Sequence, residues 1–304
     1  MDAGAQPVDM TSKFNRKTVE FLSHGVKIEA YLYTPSSSDA STPLPAVVTA
    51  PGFGGVKEML IESYADYLTA AGIACLSLDY RHFGGSDGMP RQHIDPVRQV
   101  EDMQAGIDYL ETADEIDSAR IGVWGTSMSG GHTITVAAID SRIKAAVAII
   151  PFLTAGKPSG DIRAIRRAAL LDTAKRLVGM RPGTIPIFAE SPGEFAVMAS
   201  DGGWEWMQNV VKDAPNYRNE VTLQSLFRLG GYLPERHAGQ LSVPTMLMAA
   251  KADSITPAEP IEAFAQKVSC ATEYIEYPES HFELFGEHLA GTADQMVRWF
   301  KTHL

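Results

Sequence analysis

The heptapeptide Gly125-Thr126-Ser127-Met128-Ser129-Gly130-Gly131 constrains this chain more than any other stretch. It follows the apolar run Ile121-Gly122-Val123-Trp124 and leads into a helix-like stretch over residues 133–139. Strand, Gly-x-Ser turn, small residues and helix make the layout of a nucleophile elbow. The turn is tight enough to strain the serine backbone, and small residues around it let strand and helix approach closely. The hydroxyl then stands clear of a sheet at a helix N-terminus, where the dipole favours developing negative charge. Ser129 fills the fifth position, where the plain motif has glycine, so the pattern also reads one step later, centred on Ser129. Ser127 is preferred because it lies two residues past the strand-terminal Gly125, which leaves Ser129 as the small residue the turn needs. A Gly/Ser-rich turn is often only a turn, so its partners must decide.

The surrounding rhythm predicts the sheet that such an elbow needs. Residues 18–22 and 26–33 read as a hairpin about Ser23-His24-Gly25. Buried strands follow at 46–50, 73–79, around Ile121 and at 145–150, alternating with helices at 59–71 and from Asp95-Pro96 to about 112. Asp95 is an N-cap with proline at the first helical position. Near-continuous apolar strands separated by helices mean a parallel sheet covered on both faces. From about 153 to 240 no strand is expected, only helical pieces at 161–178, 193–200, 204–212 and 218–229. Strands resume at 245–250 and 272–277, and an amphipathic helix over 293–302 closes the chain. The expected organisation is an α/β core of residues 1–152 and 241–304, interrupted by a helical lid over 153–240.

Composition excludes some partners. The chain has 304 residues, 45% of them hydrophobic, and a net charge of −11 without long basic blocks. That argues against nucleic acid and against docking on an anionic membrane. No apolar run reaches the ~18 residues of a membrane span, and residues 1–15 do not read as a signal peptide. The two cysteines, Cys75 in an apolar strand and Cys270 near the end of a late helix, read as unpaired thiols. A soluble cytoplasmic protein is expected, with homo-oligomerisation left open.

A serine hydroxyl needs a base, and the base needs a carboxylate to hold its tautomer. After a nucleophile elbow the chain order is Ser, acid, His. Asp253 follows the strand at 245–250 and precedes Ile255-Thr256-Pro257, on the edge where open α/β sheets place their sites. Its bland alternative is a helix cap, and Asp161 and Asp201 are weaker candidates. His281 follows the last strand, in Tyr277-Pro278-Glu279-Ser280-His281-Phe282, whereas His288 lies too far from the strand end. An oxyanion hole needs backbone N–H donors. Met128, next to the nucleophile, is one candidate; Phe53, in the glycine-rich loop Pro51-Gly52-Phe53-Gly54-Gly55, is the other.

These residues carry a resemblance. The segment from Pro51 to Met59, the segment from Asp79 to Gly88, Trp124 to Gly131, Asp253 and His281-Phe282 together resemble the α/β hydrolases. They are similar to the dienelactone hydrolase and Xaa-Pro-peptidase-like branch, and more narrowly to the polyketide transferases and thiohydrolases of fungal biosynthetic clusters with their bacterial relatives. The likeness covers nearly the whole chain, and Tyr217-Arg218-Asn219-Glu220 also resembles a motif of that group. It implies acyl transfer through a seryl ester on Ser127, from a small-molecule ester or thioester, with no metal or organic cofactor.

Other features have plainer readings. Asp79 and Arg81 are expected to pin a loop rather than face substrate, and Lys57 to sit at a solvated helix start. His132 receives no role. Arg163, Arg166, Arg167, Lys175 and Arg176 recur as a solvated helix face does, although they could receive a substrate phosphate. Phe152, Phe188, Phe195, Met198, Trp204, Trp206 and Met207 should pack the lid, some of them lining an apolar acyl pocket. Three rival functions remain: a carbon–carbon or lactone ring-opening hydrolase with the same triad, a ligand-binding protein on a hydrolase scaffold, and a peptidase, which rests on fold analogy alone and lacks an evident acidic pair to capture a peptide amino terminus.

Overall fold

A computed structural model describes residues 14–36, 42–154, 172, 181–191, 196–198, 202–286 and 288–304. Two long antiparallel strands open the chain, β1 (Phe14–Ser23) and β2 (Val26–Pro35). His24 and Gly25, both at positive φ, turn one into the other, the geometry that two-residue hairpins favour. Then β3 (Leu44–Thr49), α1 (Ile61–Ala70), β4 (Ala74–Leu78), α2 (Pro96–Thr112), β5 (Ile116–Thr126), α3 (Ser127–Ile139) and β6 (Ile143–Ile149) alternate. After a long crossing segment come β9 (Thr245–Ala250), α6 (Ala258–Ala265), β10 (Thr272–Tyr277) and α7 (Leu289–His303).

The eight strands pair in the order β1-β2-β4-β3-β5-β6-β9-β10, with β2 antiparallel to both its neighbours, β1 and β4, and the remaining pairs parallel. The period of two assigns the faces. Ala46 and Val48 enter the core beneath α2, α3 and α6, while Val47 between them enters the core beneath α1 and α7. Both faces are thus dry, which is why β4 and β9 are buried at every residue. The chain leaves β3 toward β4 and later returns to the other side of β3 as β5. That reversal opens a crevice at the carboxyl ends of β3 and β5, where open α/β sheets bind ligands.

The segment between β6 and β9 departs from a purely helical reading. It carries a short antiparallel pair, β7 (Thr184–Ile185) and β8 (Val221–Thr222), and a bridge between Phe188 and Met198. The helices described in it are α4 (Gly203–Val210) and α5 (Leu223–Leu229), followed by a 3₁₀ turn over Pro234–His237. Residues 218–222 are therefore not the first turns of a helix. The Thr222 N–H is taken by the Gln92 carbonyl at 2.8 Å, and the Gln92 amide donates to the Glu220 carbonyl at 3.2 Å, so the core holds this stretch extended. Likewise Met198 donates to the Ile187 carbonyl at 2.8 Å rather than continuing a helix. Of the helix expected at 161–178 only Asp172 is described; the basic residues of that helix, Asp161, Phe195 and Asp201 lie outside the described residues. Cys75 is buried in β4, and Cys270 lies in the loop after α6 rather than on a helix. Among the described residues no helix is long and apolar enough to cross a membrane.

Candidate active site

Ser127 sits where β5 becomes α3, at φ 54°. That left-handed backbone is strained for a residue with a side chain and costs about 1–3 kcal/mol. The surroundings hold it there. The Phe152 N–H donates to the Ser127 carbonyl at 2.8 Å, tying the turn to the end of β6. Gly125 has no room for a side chain, because a Cβ would lie 2.5 Å from the Ser129 carbonyl oxygen. At Gly131 it would lie 2.2 Å from the Phe152 carbonyl oxygen. Ser129 is fully buried, its hydroxyl accepting from the Thr126 N–H and donating to the Thr126 carbonyl, both at 2.9 Å. The elbow has consumed that hydroxyl, which favours the reading of the motif centred on Ser127.

Asp253 and His281 follow the ends of β9 and β10 and meet: the His281 Nδ1 and the Asp253 Oδ2 are 2.7 Å apart. A carboxylate can only accept, so Nδ1 carries the proton and Nε2 is the nitrogen left to act as a base. Among the described residues Nε2 has no hydrogen-bond partner. Asp253 also accepts from the N–H groups of Ile255 and Thr256, at 2.7 and 2.8 Å, and from the Thr256 hydroxyl at 2.7 Å. Burial pushes its pKa up, but His281 and the Thr256 donors outweigh burial and hold the carboxyl below its ordinary range. The sequence reading missed Thr256, although a threonine three residues past an aspartate at a helix start is a recognisable capping pattern.

Ser127 and His281 line one cavity, roofed by Phe188, Met198, Trp206 and Tyr217 from the crossing segment and by Phe282 and Phe285 beside His281. Among the described residues no hydrogen bond joins Ser127 to His281; such contacts often tighten only around a substrate. The glycine-rich loop after β3 supplies the opposite wall, including Phe53. Gly52 lies against the elbow, where a Cβ would be 3.7 Å from that of Ser127. Neither the Phe53 nor the Met128 N–H has an acceptor among the described turns, loops and caps, and Met128 stands in the first turn of α3, where helical N–H groups point outward.

Four residues set aside on sequence grounds prove structural. Lys57 is not at a solvated helix start. It is fully buried, with Nζ 2.7 Å from both Asp79 and Glu29 and 4.5 Å from the Tyr31 ring centroid. The Lys57 N–H also donates to Asp79 at 2.7 Å, so this network anchors the far end of the glycine-rich loop. Arg81 is bound by Asp102 and Ser23, as a loop-pinning role requires. His132 is buried between Tyr232 and Gln99 at 2.6 and 3.1 Å, and burial pushes its pKa down to about 3. Of the aromatic residues expected in the pocket, Phe188 and Trp206 line it, whereas Phe152 stacks on Tyr232. Asn219 went unassigned, yet its amide donates to the Phe188 carbonyl and accepts from the Phe188 N–H, both at 2.9 Å.

Known proteins share this architecture. Residues 41–288 match the family model described as serine aminopeptidase, S33. The chain is 32% identical over 272 residues to the quorum-quenching protein AidA of Acinetobacter baumannii (strain MDR-ZJ06), covering 88% of each. It is 32% identical over 251 residues to a thiohydrolase of Eupenicillium brefeldianum, covering 80% of each. Among solved structures it is similar to DcsB, seen in complex with its substrate analogue, with a TM-score of 0.84 and 26% identity over 95% of this chain and 100% of that one.

Proposed function

Because this chain belongs to the S33 serine aminopeptidase family of α/β hydrolases, we propose that it transfers acyl groups from an ester or thioester through a seryl intermediate on Ser127. The observation that carries this reading is the Asp253–His281 pair, 2.7 Å apart, with His281 lining the cavity that Ser127 also lines and its Nε2 without a partner among the described residues. His281 Nε2 takes the Ser127 proton as Oγ attacks the carbonyl carbon, and the amides of Phe53 and Met128 receive the oxyanion. Collapse of that intermediate breaks the bond to the leaving oxygen or sulfur, which takes the proton from His281. Water, or an alcohol, then gives His281 a proton and attacks the acyl-enzyme; the bond to Ser127 Oγ breaks, Oγ takes the proton back from His281, and the acid or a new ester is freed. Phe188, Met198, Trp206 and Tyr217, from the segment between β6 and β9, cover this step as a lid would.

The thiohydrolase relative supports thioesters among the substrates. The family name alone favours peptides less. An aminopeptidase must capture a substrate ammonium, and among the described residues the cavity wall contains no Asp or Glu. The deciding experiment compares wild type with Ser127→Ala on nitrophenyl esters and acyl thioesters, each with and without an alcohol acceptor. Turnover should fall by about 10⁴-fold or more in the variant, and a new ester formed with acceptor would identify a transferase. Undiminished turnover in Ser127→Ala would sink the reading.

A further inference from the structure

The cavity against Ser127 is small. Its free volume is about 50 Å³, whereas a cavity of ~150 Å³ is what benzene occupies. Beside it lies a second chamber of about 600 Å³, faced by Asn209, Ser254, Ser280 and Glu283. Trp206, Phe282 and His281 line both chambers, while Ser127 and Phe53 line only the inner one. Trp206 and Phe282 therefore form the partition, with ring centroids 5.0 Å apart.

This partition is braced. Phe188 packs on Phe282 at 5.6 Å and on Trp206 at 6.1 Å, and the Asn219 amide clamps the Phe188 main chain through both its N–H and its carbonyl. Gly203 leaves no slack behind it, since a Cβ there would lie 3.0 Å from the Phe282 ring. Trp206 Nε1 is buried without a partner among the described residues, a donor that no protein oxygen satisfies. The outer chamber differs in chemistry. Among the described residues its carboxylate is Glu283, which is exposed, with Oε2 accepting from the Ser280 N–H and hydroxyl at 3.0 and 2.6 Å. Beside that carboxylate the chamber offers the Asn209 amide and the Ser254 hydroxyl, set against apolar surface from Ala252, Trp206 and Phe282.

We infer that the Trp206–Phe282 partition sorts the two halves of the substrate, a short acyl group inside and a longer, hydroxyl-bearing leaving group outside. The inference rests on Ser127 as nucleophile and His281 as its base. The acyl carbon must bond to Ser127, which only the inner chamber reaches. The leaving atom must take its proton from His281, which both chambers touch. The inner volume, about a third of the cavity that benzene occupies, restricts the acyl chain to a few carbons.

Three esters test this: glyceryl monobutyrate, glyceryl mono-octanoate and ethyl butyrate, followed by titration of the released acid. Wild-type kcat/KM for the monobutyrate should exceed that for the mono-octanoate by at least about tenfold, and that for ethyl butyrate by roughly fivefold or more. Trp206→Ala, with Trp206→Leu as a milder variant and a thermal melt for each, should bring the butyrate-to-octanoate ratio near unity by merging the chambers. Equal wild-type rates on the two glyceryl esters, a preference for ethyl butyrate, no turnover of any of the three, or a ratio unchanged in a folded Trp206 variant would each overturn the inference. The wild-type ratios decide even if neither variant folds. Fluorophosphonate labelling of wild type and Ser127→Ala separates the two ideas, because Ser127-dependent labelling keeps the nucleophile assignment even where the size rule fails.

Discussion

At the residue scale, the proposed acyl transfer asks three side chains from three loops to be reactive and fixed at once. Ser127 is fixed by strain, at φ 54° with its carbonyl tied to Phe152. Asp253 is fixed by saturation, with donors from Ile255, Thr256 and His281 on its two oxygens. His281 is fixed through Asp253, which leaves Nε2 as its one free nitrogen among the described residues. An amide at position 253 would present a donor to the Nδ1–H or force the other tautomer. Asp253→Asn should therefore lower kcat by about 10⁴-fold while circular dichroism shows the fold kept; a loss of less than tenfold would mean that another carboxylate orients His281. These residue types were readable in the sequence because the chemistry demands a serine, an acid and a histidine in that order after strand ends. Thr256 was less readable, since its value to the site lies in one hydroxyl aimed at Asp253, and threonines near helix starts are common.

At the element scale, the core strands and helices were legible because each carries its own signal. Examples are the alternation of Ala46, Val47 and Val48 and the Asp95-Pro96 start of α2. The crossing segment carries no such signal. Val221 and Thr222 lie extended because Gln92 accepts from the Thr222 N–H and donates to the Glu220 carbonyl, and Gln92 is more than a hundred residues away in the chain. Local propensity loses there to tertiary hydrogen bonds. Asn219 shows what that segment contributes. Its amide replaces a strand partner for Phe188, whose ring roofs the cavity. Asn219→Ala leaves a backbone N–H and carbonyl to find water, so urea unfolding should show a loss of about 1–3 kcal/mol. KM should rise more than kcat falls, because the wall rather than the nucleophile is loosened. Unchanged stability and unchanged KM together would count against the clamp.

At the scale of the whole molecule, buried histidines couple stability to pH. Burial pushes His132 down to about 3, and burial followed by the charge of His93 pushes His82 down to about 4. An unfolded chain binds these protons near pH 6.5, whereas the folded chain does not until near pH 4. Their contribution is thus fully present above about pH 6.5 and is lost as pH falls toward 4. His132 alone accounts for roughly 2 kcal/mol between pH 7 and pH 5. Urea midpoints should fall over that interval, and His132→Gln should flatten the fall; a midpoint independent of pH would show that neither ring is neutral because of burial.

The sequence by itself determined the sheet, the order of its strands in the chain and the three residues gathered at its carboxyl edge. Apolar period, turn chemistry and catalytic order are all local or ordinal properties. The tertiary structure alone decided that Ser129 is spent inside the elbow, that Lys57 is buried against Asp79 and Glu29, and that Trp206 and Phe282 divide the cavity. Each of these depends on which distant groups come to within a hydrogen bond or a ring's width, and that is set by packing rather than by neighbours in the chain.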